Sequence, residues 1–309
     1  MNAKTLDDNT IGIWYGIVAY SLWGILPLYW KLLITVPPLQ ILAHRIIWSF
    51  IFMIVIVAGT RGGKALTAVF ADKRRLLYMF LCGFVISVNW FTYIYAVNTN
   101  HVIEASMGYF INPLVVVLLG VTVLKEKLSR WQLIALILAA IGVLIITTQY
   151  GRVPWIAIFL ASTFAAYGLI KKMAKVDSVT GLTLETFIVM PIALLYLLSL
   201  EAQGSGAMGT EPLSIQLILA GAGIVTATPL ILFARGVEKT TFSMMGFLQY
   251  IAPSLTLLLG IFVFKEYFST IHLISFCFIW AALIIFTLAN VGLLKEPLKE
   301  PQQALLDKH

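Results

Sequence analysis

The sequence predicts an all-α integral membrane protein with ten transmembrane helices, arranged as two inverted five-helix repeats. Three observations predict this fold class. Hydrophobic residues make up 60% of the 309 residues and charged residues only 11%. Apolar segments of about 20 residues, the length that crosses a bilayer as a helix, recur along the chain. Residues 89–145 also align with residues 229–285 without a gap, at an offset of 140 residues.

Ten segments match a membrane-spanning helix in length and composition. Each is expected to be helical, because backbone groups inside a bilayer can bond only to one another. The first five are residues 12–30, 39–58, 76–97, 102–124 and 131–149. The second five are residues 154–170, 180–200, 214–233, 242–264 and 271–294. The first segment lacks an A-x-A cleavage site and is therefore predicted to be a retained helix rather than a signal peptide.

The internal repeat divides the chain into two halves. The aligned pairs include Pro113 with Pro253, Gly120 with Gly260, Lys125 with Lys265, Glu126 with Glu266 and Ser129 with Ser269. We expect residues 1–11 to form a cytoplasmic N-terminus, 12–149 the first repeat, 150–294 the second repeat and 295–309 a cytoplasmic tail. Because each repeat has an odd number of spans, the second enters the membrane in the opposite orientation. Inverted repeats are typical of secondary transporters, which bind solute near the membrane midplane.

The formal net charge of +7 is distributed as expected for a membrane protein rather than for a protein that binds nucleic acid. With the N-terminus in the cytoplasm, most of the 21 Lys and Arg residues fall in cytoplasmic loops, as the positive-inside rule requires. Both termini are therefore predicted to be cytoplasmic, and no nucleic-acid partner is expected. Cys82 and Cys277 lie inside apolar spans and are interpreted as packing residues, without a disulfide or a metal site.

One pattern of three residues occurs in both halves. A proline lies in mid-span, an acid follows thirteen residues later, and a serine then opens the next helix. These residues are Pro113, Glu126 and Ser129 in the first half, and Pro253, Glu266 and Ser269 in the second. The pattern resembles the EamA repeat of the drug/metabolite transporter (DMT) superfamily. Residues 44–45, 89–91 and 104–113 also resemble the RarD permease branch, which is named for chloramphenicol sensitivity.

This resemblance covers essentially the whole chain. It implies a ten-helix permease of the bacterial inner membrane with a central cavity. The small multidrug-resistance relatives in the superfamily use an acid in the first membrane helix for proton coupling. The first predicted span here contains no acid, so that mechanism is not carried over. Proton coupling through His44, Glu104 or Glu185 stays open, and so does facilitated transport.

Pro113 and Pro253 are the predicted hinge residues. Each removes a backbone hydrogen bond near the middle of its span and is expected to kink the helix. Matching kinks in the two halves would let two helix bundles bend against each other. Simple packing is the alternative interpretation.

The acids and serines of the repeated pattern have structural interpretations. Ser129 and Gln132 form a predicted capping box for the fifth spanning helix, and Ser269 is placed to cap the tenth. Glu126 and Glu266 lie beside lysines at the membrane boundary, and we interpret them as members of ion pairs.

Arg45 is a charged residue about seven residues inside the second predicted span. An unpaired charge at the centre of a spanning helix costs about 2.5–3.5 kcal/mol. The same helix presents Gln40, His44 and Trp48 at spacings of four, which forms a polar and aromatic stripe. Arg45 is therefore expected either to line a cavity or to extend outward to the lipid headgroups.

Two acids are candidates to pair with Arg45, namely Glu104 at the start of the fourth predicted span and Glu185 inside the seventh. Glu104 and Asn112 share one face, which is a candidate wall of a solute path. Alternatively, Glu104 is a first-turn acid that the helix dipole stabilises. Glu185 aligns with His44 at an offset of 141 residues. The lysines that could neutralise it are Lys171, Lys172 and Lys175.

Other polar and aromatic residues complete the predicted cavity. They are Asn89, Trp90 and Tyr93 on the third span, Tyr109 on the fourth, Gln249 on the ninth and Trp23 on the first. A buried amide is costly against lipid, so the amides are expected to face protein or water. Contact between helices and contact with a ligand both stay open for each of them.

These features predict a secondary transporter, a permease or exporter that moves a small metabolite or an amphipathic, drug-like solute by alternating access. The alternative is a membrane channel or a receptor that transports nothing. An enzyme is not predicted, because the sequence has no paired nucleophile and base and no spacing of metal ligands. No cofactor is expected. The expected partners are the small-molecule solute and the lipid bilayer, and a single chain with both halves predicts a monomer.

Overall fold

The computed structural model describes residues 7–60, 63–98, 101–148, 151, 153–263, 270–290 and 292–294. Within these ranges the chain is helical and contains no strand. Ten helical segments are long and apolar enough to cross a membrane. The predicted fold class and the predicted number of spans are therefore confirmed.

Thirteen helices occur in the described ranges. The first half contains α1 Asp8–Lys31, α2 Pro38–Gly59, α3 Gly63–Ala71, α4 Lys73–Asn98, α5 Val102–Thr122 and α6 Arg130–Thr148. The second half contains α7 Trp155–Ala174, α8 Ser178–Ala202, α9 Ala207–Thr210, α10 Leu213–Lys239, α11 Phe242–Leu248, α12 Ile251–Phe262 and α13 Thr270–Asn290. The short helices α3 and α9 lie in connections and were not predicted, because neither is long enough to show a membrane-spanning pattern.

Several helices extend beyond the apolar segments that predicted them. Helix α1 begins at Asp8 and α10 ends at Lys239, four and six residues beyond the predicted limits. The expectation that the first helix contains no acid is therefore wrong, since Asp8 lies in its first turn. The physical reason is that an acid at a helix start is hydrated and is stabilised by the helix dipole. Asp8 also forms an ion pair with Lys239.

The ninth span is broken, although it was predicted as one helix. Gln249 and Tyr250 separate α11 from α12. Pro253 has no N–H to donate to the carbonyl of Gln249 four residues earlier, and the N–H of Ala252 donates to that carbonyl instead, at 3.2 Å. The aligned Pro113 lies inside the continuous helix α5. The two matched prolines thus have different local structures, and their role as hinges stays a prediction.

The predicted capping box is present at the start of α6. The N–H of Ser129 donates to Oε1 of Gln132 at 2.8 Å, and the N–H of Gln132 donates to Oγ of Ser129 at 3.3 Å. Ser269 and Glu266, for which a cap and an ion pair were predicted, lie outside the described residues. The predicted tail, residues 295–309, lies outside them as well.

Among the described residues, Glu126 caps a helix and does not form the predicted ion pair. Its two carboxylate oxygens accept hydrogen bonds from the N–H groups of Phe242 at 2.6 Å and Ser243 at 2.8 Å. These are the first residues of α11, whose unpaired N–H groups and dipole favour an anion. Glu126 therefore caps a helix of the second half from a loop of the first half.

The two halves interleave, since first-half helices pack extensively on second-half helices. The contacts between the halves occur as equivalent pairs of helices. Helix α4 packs on α7 as α1 packs on α10, α5 packs on α7 as α1 packs on α12, and α2 packs on α10 as α4 packs on α8. Helix α6 packs on α13, the last span of one half against the last span of the other. The core of the molecule therefore lies between the halves.

Small residues permit the closest approach of these helices. A Cβ atom added at Gly223 of α10 would lie 2.3 Å from the carbonyl carbon of Trp48 and 2.7 Å from the backbone nitrogen of Ser49 in α2. The hydroxyl of Ser49 also donates to the carbonyl of Gly223, at 3.2 Å. Backbone therefore meets backbone at this crossing.

The two cysteines differ in their surroundings. Both are free thiols, and Cys82 is buried as expected for a packing residue. Cys277 is exposed on α13, so its interpretation as a packing residue is wrong. Its side chain lies on the outer side of a helix that packs through its opposite face.

We expect Gly223→Ala to destabilise the protein by about 1–3 kcal/mol, the usual effect of overpacking a tight contact. The backbone of Trp48 cannot move aside as a flexible side chain would. Thermal unfolding of the purified protein in detergent measures the change. Gly59→Ala is the matched control, because no atom lies within 4 Å of a Cβ at that position. Equal unfolding temperatures for the two variants would contradict the tight crossing of α2 and α10.

Candidate functional site

Arg45 lies on α2, where helices of both halves meet. Its Nε donates to the hydroxyl oxygen of Thr226 on α10, at 3.1 Å. Its Cζ atom lies 4.7 Å from the ring centroid of Trp30 on α1 and 5.9 Å from that of Trp90 on α4. Aromatic faces stabilise a cation at these distances. The guanidinium therefore rests against protein on three sides.

Two tyrosines complete the surroundings of Arg45. Tyr93 of α4 and Tyr109 of α5 are close enough to interact electrostatically with the guanidinium. Their side chains remain 40% and 51% exposed. The site thus has an aromatic wall, a cation and hydroxyl groups beside space that protein does not fill.

The predicted acidic partner of Arg45 is absent from the described part of the chain. Glu104 and Glu185 form other contacts, and no carboxylate in the described ranges lies within ion-pair distance of the guanidinium. The expectation that one of them pairs with Arg45 is wrong. Guanidinium groups carry five N–H donors, and the hydrogen bond to Thr226 uses one of them.

Glu104 is buried, with 1% of its surface exposed. Its Oε1 accepts the backbone N–H of Ile156 at 2.7 Å. Ile156 belongs to the first turn of α7, so Glu104 stabilises that helix start much as Glu126 stabilises the start of α11. Neither of the two predicted interpretations of Glu104 included this contact, because its partner lies in the other half.

The polar stripe of α2 separates into different roles. Gln40 donates to the carbonyl of Ser205 and accepts the N–H of Ala207, both at 3.1 Å, so it holds the connection at the start of α9. Trp48 meets Gly223 at the crossing with α10. His44 is buried, and its Nε2 has no hydrogen-bond partner among the described residues.

The predicted amides mostly join helices. Asn89 donates to the carbonyl of Leu160 at 2.9 Å and to the hydroxyl of Thr163 at 2.8 Å. Asn112 donates to the carbonyl of Ala161 at 2.5 Å. All three acceptors lie on α7, so these amides fix α4 and α5 to it. The side-chain oxygens of Asn112 and Gln249 are buried without a partner among the described residues.

Glu185 belongs to a buried cluster with Lys171 and Tyr167. The ammonium of Lys171 lies 2.6 Å from Oε1 of Glu185, and Tyr167 donates its hydroxyl hydrogen to Oε2 at 2.8 Å. Lys171 also donates to the Tyr167 oxygen at 3.2 Å. Of the three lysines considered, Lys171 is the one that neutralises Glu185. Lys172 instead donates to backbone carbonyl groups of α10 and its C-terminal cap.

A small cavity lies between helices α2, α4, α7, α8 and α10. Trp90, Ile46, Tyr167, Glu185 and Thr186 are among its lining residues. Trp90 therefore contacts two regions, since its ring lies near the Arg45 guanidinium and also borders the cavity that Glu185 lines. Arg45 and Glu185 thus flank a common aromatic side chain.

Trp23 lies in an aromatic cluster rather than beside Arg45. The ring centroid of Trp23 lies 5.4 Å from Tyr20, 5.7 Å from Phe233 and 6.1 Å from Phe164. Tyr167 stacks on Phe233 at 6.4 Å. We call these five residues the aromatic cluster. Sequence reasoning missed Phe164, Tyr167 and Phe233, although Phe233 aligns with Tyr93 at the offset of 140.

Polar contacts also join the halves at the end of the molecule where α1 begins. Asp8 pairs with Lys239, and the hydroxyl of Thr240 donates to Oδ1 of Asn9 at 2.6 Å. Lys172 donates to the carbonyl of Thr240 at 2.6 Å. Together with the cap formed by Glu126, these contacts tie the ends of α1, α7, α10 and α11.

The repeat relates Arg45 to Glu185. Helices α2 and α8 begin at Pro38 and Ser178, which are 140 residues apart. Counted from these helix starts, Glu185 pairs with Arg45 at an offset of 140. The predicted pairing of Glu185 with His44, at 141, differs from this by one residue.

Comparison with known proteins gives consistent results. The EamA-like transporter family matches residues 10–148. A protein of Bacillus subtilis named uncharacterized transporter YojE is 49% identical over 91% of this chain and 94% of its own length. Protein RarD of Escherichia coli is 40% identical over 90% of this chain and 94% of its own length.

A crystal structure of a protein that is 20% identical in sequence has a similar fold. The match covers 92% of this chain and 99% of that chain, with a TM-score of 0.69. At this identity the similarity describes the fold and does not extend to the solute.

Proposed function

This chain belongs to the EamA-like transporter family, as a RarD-type member of the DMT superfamily, and we propose that it moves a small amphipathic solute by alternating access. The family is one of multi-pass bacterial membrane transporters and points to a transporter rather than an enzyme. In our proposal the solute carries an aromatic or other apolar body and a carboxylate or a strong dipole. Arg45 binds that polar end.

The observation that carries this proposal is the environment of Arg45. A cation inside a spanning helix normally has an acidic partner, and in the described part of the chain Arg45 has hydroxyl and aromatic neighbours instead. Its remaining N–H donors can bind a carboxylate in a two-pronged geometry. Trp30 and Trp90 offer apolar surface for the body of the solute.

Alternating access is supported by the unequal exposure of residues that the repeat pairs. Tyr93 is 40% exposed and its counterpart Phe233 only 3%, while Tyr109 is 51% exposed and its counterpart Gln249 only 6%. In an inverted repeat, paired residues occupy equivalent positions on opposite sides of the membrane midplane. A transporter in one of its two end states is expected to expose the residues on one side of the midplane and to bury their counterparts on the other side.

In this proposal the closed side is the cytoplasmic side. The positive-inside rule places both termini there, and the contacts of Asp8 and Asn9 join the halves on the same side. The structure then corresponds to an outward-open state, with the aromatic cluster between the Arg45 site and the cytoplasm. A channel would need a path past this cluster, which disfavours the channel alternative. The interleaved halves within one chain support a functional monomer.

We expect Arg45→Gln to reduce saturable uptake of aromatic carboxylates into proteoliposomes by about 10- to 100-fold, the effect of losing a charge-assisted hydrogen-bond pair. Uptake of the corresponding neutral amides should change much less. Arg45→Lys should retain part of the carboxylate uptake, because it keeps the charge but loses the planar fork.

Arg75→Gln is the matched control for Arg45, since Arg75 is an exposed arginine that pairs with Asp72 in the same helix turn. This control should transport like the wild type. A pH gradient applied to the same vesicles tests proton coupling. If Arg45→Gln transports carboxylates at the wild-type rate, Arg45 does not bind the solute.

We expect a disulfide between Asn9→Cys and Thr240→Cys to stop transport. The two native side chains contact each other across the halves, with their oxygens 2.6 Å apart, and the cross-linked fraction after oxidation is measured before transport is compared. Cys277→Ser removes the exposed native thiol. A cross-link across the halves prevents the cytoplasmic side from opening. Uptake should fall at least about tenfold on oxidation, a change of about 1.4 kcal/mol in barrier, and return on reduction.

Each single-cysteine variant is the control for the cross-link and should transport equally under oxidising and reducing conditions. A cross-linked protein that still carries solute at the uncross-linked rate would contradict alternating access. That result would favour a channel. Binding without flux in the uncross-linked protein would favour a receptor.

A further inference from the structure

The ion pair of Glu185 and Lys171, to which Tyr167 also bonds, has no role in the function proposed above. Only 3% of Glu185 and 6% of Lys171 is exposed, and Tyr167 is fully enclosed. The three groups satisfy one another through contacts of 2.6, 2.8 and 3.2 Å. A carboxylate and an ammonium are thus in direct contact inside the membrane-spanning part of the molecule.

A buried ion pair of this kind adds little to the stability of the fold. Removing two charges from water is costly, and their mutual attraction often does no better than a well-packed apolar pair. Ionisable residues within spanning helices instead mark the paths of solutes and ions. The cluster therefore invites a functional explanation.

The position of Glu185 relates the cluster to the Arg45 site. Glu185 lines the small cavity together with Trp90, and the same Trp90 ring lies 5.9 Å from the Cζ atom of Arg45. A solute whose body packs on Trp90 would have a cationic residue toward one end and an acidic residue toward the other.

The repeat places opposite charges at equivalent positions. Arg45 and Glu185 align at the offset of 140. Arg45 bonds to the neutral hydroxyl of Thr226, whereas Glu185 bonds to the ammonium of Lys171. Among the described residues, one half therefore has a cation without an acid beside it. The other half has an acid that already has a cation beside it.

We propose that Glu185 is a binding group for the ammonium of a zwitterionic solute, and that Lys171 is the resident cation which this ammonium replaces. The inference rests on the proposed function for the opposite end of the solute, the carboxylate at Arg45. The exchange conserves charge, because one ammonium leaves the carboxylate as another arrives. Tyr167 remains beside Glu185 and can accept from either ammonium.

Lys171 has a second acceptor available when it leaves Glu185. Glu238 of α10 is close enough to interact electrostatically with Lys171. Lys171 is in the last turn of α7, and its long flexible side chain can reach to either side of that position. Its displaced ammonium therefore need not remain unpaired.

Three small compounds with one benzene ring test the proposal. The first, called the zwitterion below, is a benzene ring with a 2-carboxyethyl group and a 2-aminoethyl group para to each other, so it carries one charge at each end. The second, 3-phenylpropionate, carries only the carboxylate, and the third, 2-phenylethylamine, carries only the ammonium. The apparent affinity of each is measured from the concentration dependence of its thermal stabilisation of the purified full-length protein in lipid nanodiscs. For the wild type we expect the zwitterion to bind at least about tenfold more tightly than either single-charge compound.

The variants then separate a binding role from a structural one. Glu185→Gln should remove the advantage of the zwitterion over 3-phenylpropionate and leave the affinity for 3-phenylpropionate unchanged. Lys171→Met should raise the affinity for 2-phenylethylamine about tenfold or more, because the resident cation is gone. Purely structural damage would not improve binding of any compound.

Two further variants guard against misfolding. The double variant Lys171→Met/Glu185→Gln leaves no lone buried charge, so it should fold, bind 3-phenylpropionate like the wild type and show no preference for the zwitterion. Lys175→Asn removes an exposed lysine at a left-handed backbone position that asparagine tolerates. It should bind all three compounds like the wild type.

The outcomes distinguish the two proposals. An unchanged ranking of the three compounds in Glu185→Gln overturns the ammonium site, even if Arg45→Gln still abolishes binding of 3-phenylpropionate. The reverse pattern keeps the ammonium site and overturns the role of Arg45. A wild type that none of the compounds stabilises overturns both.

Discussion

The absence of water from the bilayer interior is the constraint on which the rest of this structure depends. Every polar group within the spanning helices needs a partner inside the protein. Asn89 and Asn112 find theirs on α7, and Glu104 finds its partner at the start of the same helix. These contacts hold α4 and α5 against α7 and so position the wall of the site that carries Trp90 and Tyr109. The polar residues of the spans thus fix how the helices pack, independently of any contact with a solute.

Much of the fold follows from local patterns, whereas the site depends on contacts between distant residues. Apolar length alone locates all ten spans, and the serine and glutamine that begin α6 identify its cap. The partners of Glu104 and Glu126 lie 52 and 116 residues away in the chain, and one sequence does not reveal which helix starts lie beside them. Likewise, the spacing of polar residues along α2 marks Arg45 as unusual but cannot show that Trp30 and Thr226 surround it. The break before Pro253 depends on tertiary packing too, because the aligned Pro113 leaves α5 intact.

The repeat is a scaffold whose two copies have diverged in chemistry. Arg45 aligns with Glu185, Tyr93 with Phe233 and Tyr109 with Gln249, so equivalent positions differ in charge or polarity. If the halves exchange conformations, the two end states present different groups to the solute and cannot have equal energies. The contacts of Asp8 and Asn9 join the halves in this structure, and in the proposed cycle they would add to this difference. The duplication would then supply the two states, and the divergence would set the balance between them.

The same divergence gives the two polar ends of the proposed path different behaviour. An acid beside Arg45 would compete with the carboxylate of a solute, so a cation with hydroxyl and aromatic neighbours is ready to bind. Glu185 differs in this respect, because the ammonium of Lys171 already contacts its carboxylate. If the ammonium of a solute replaces Lys171, as proposed, it must compensate for the contacts that Lys171 gives up. Selection at that position would then follow from competition between two similar groups.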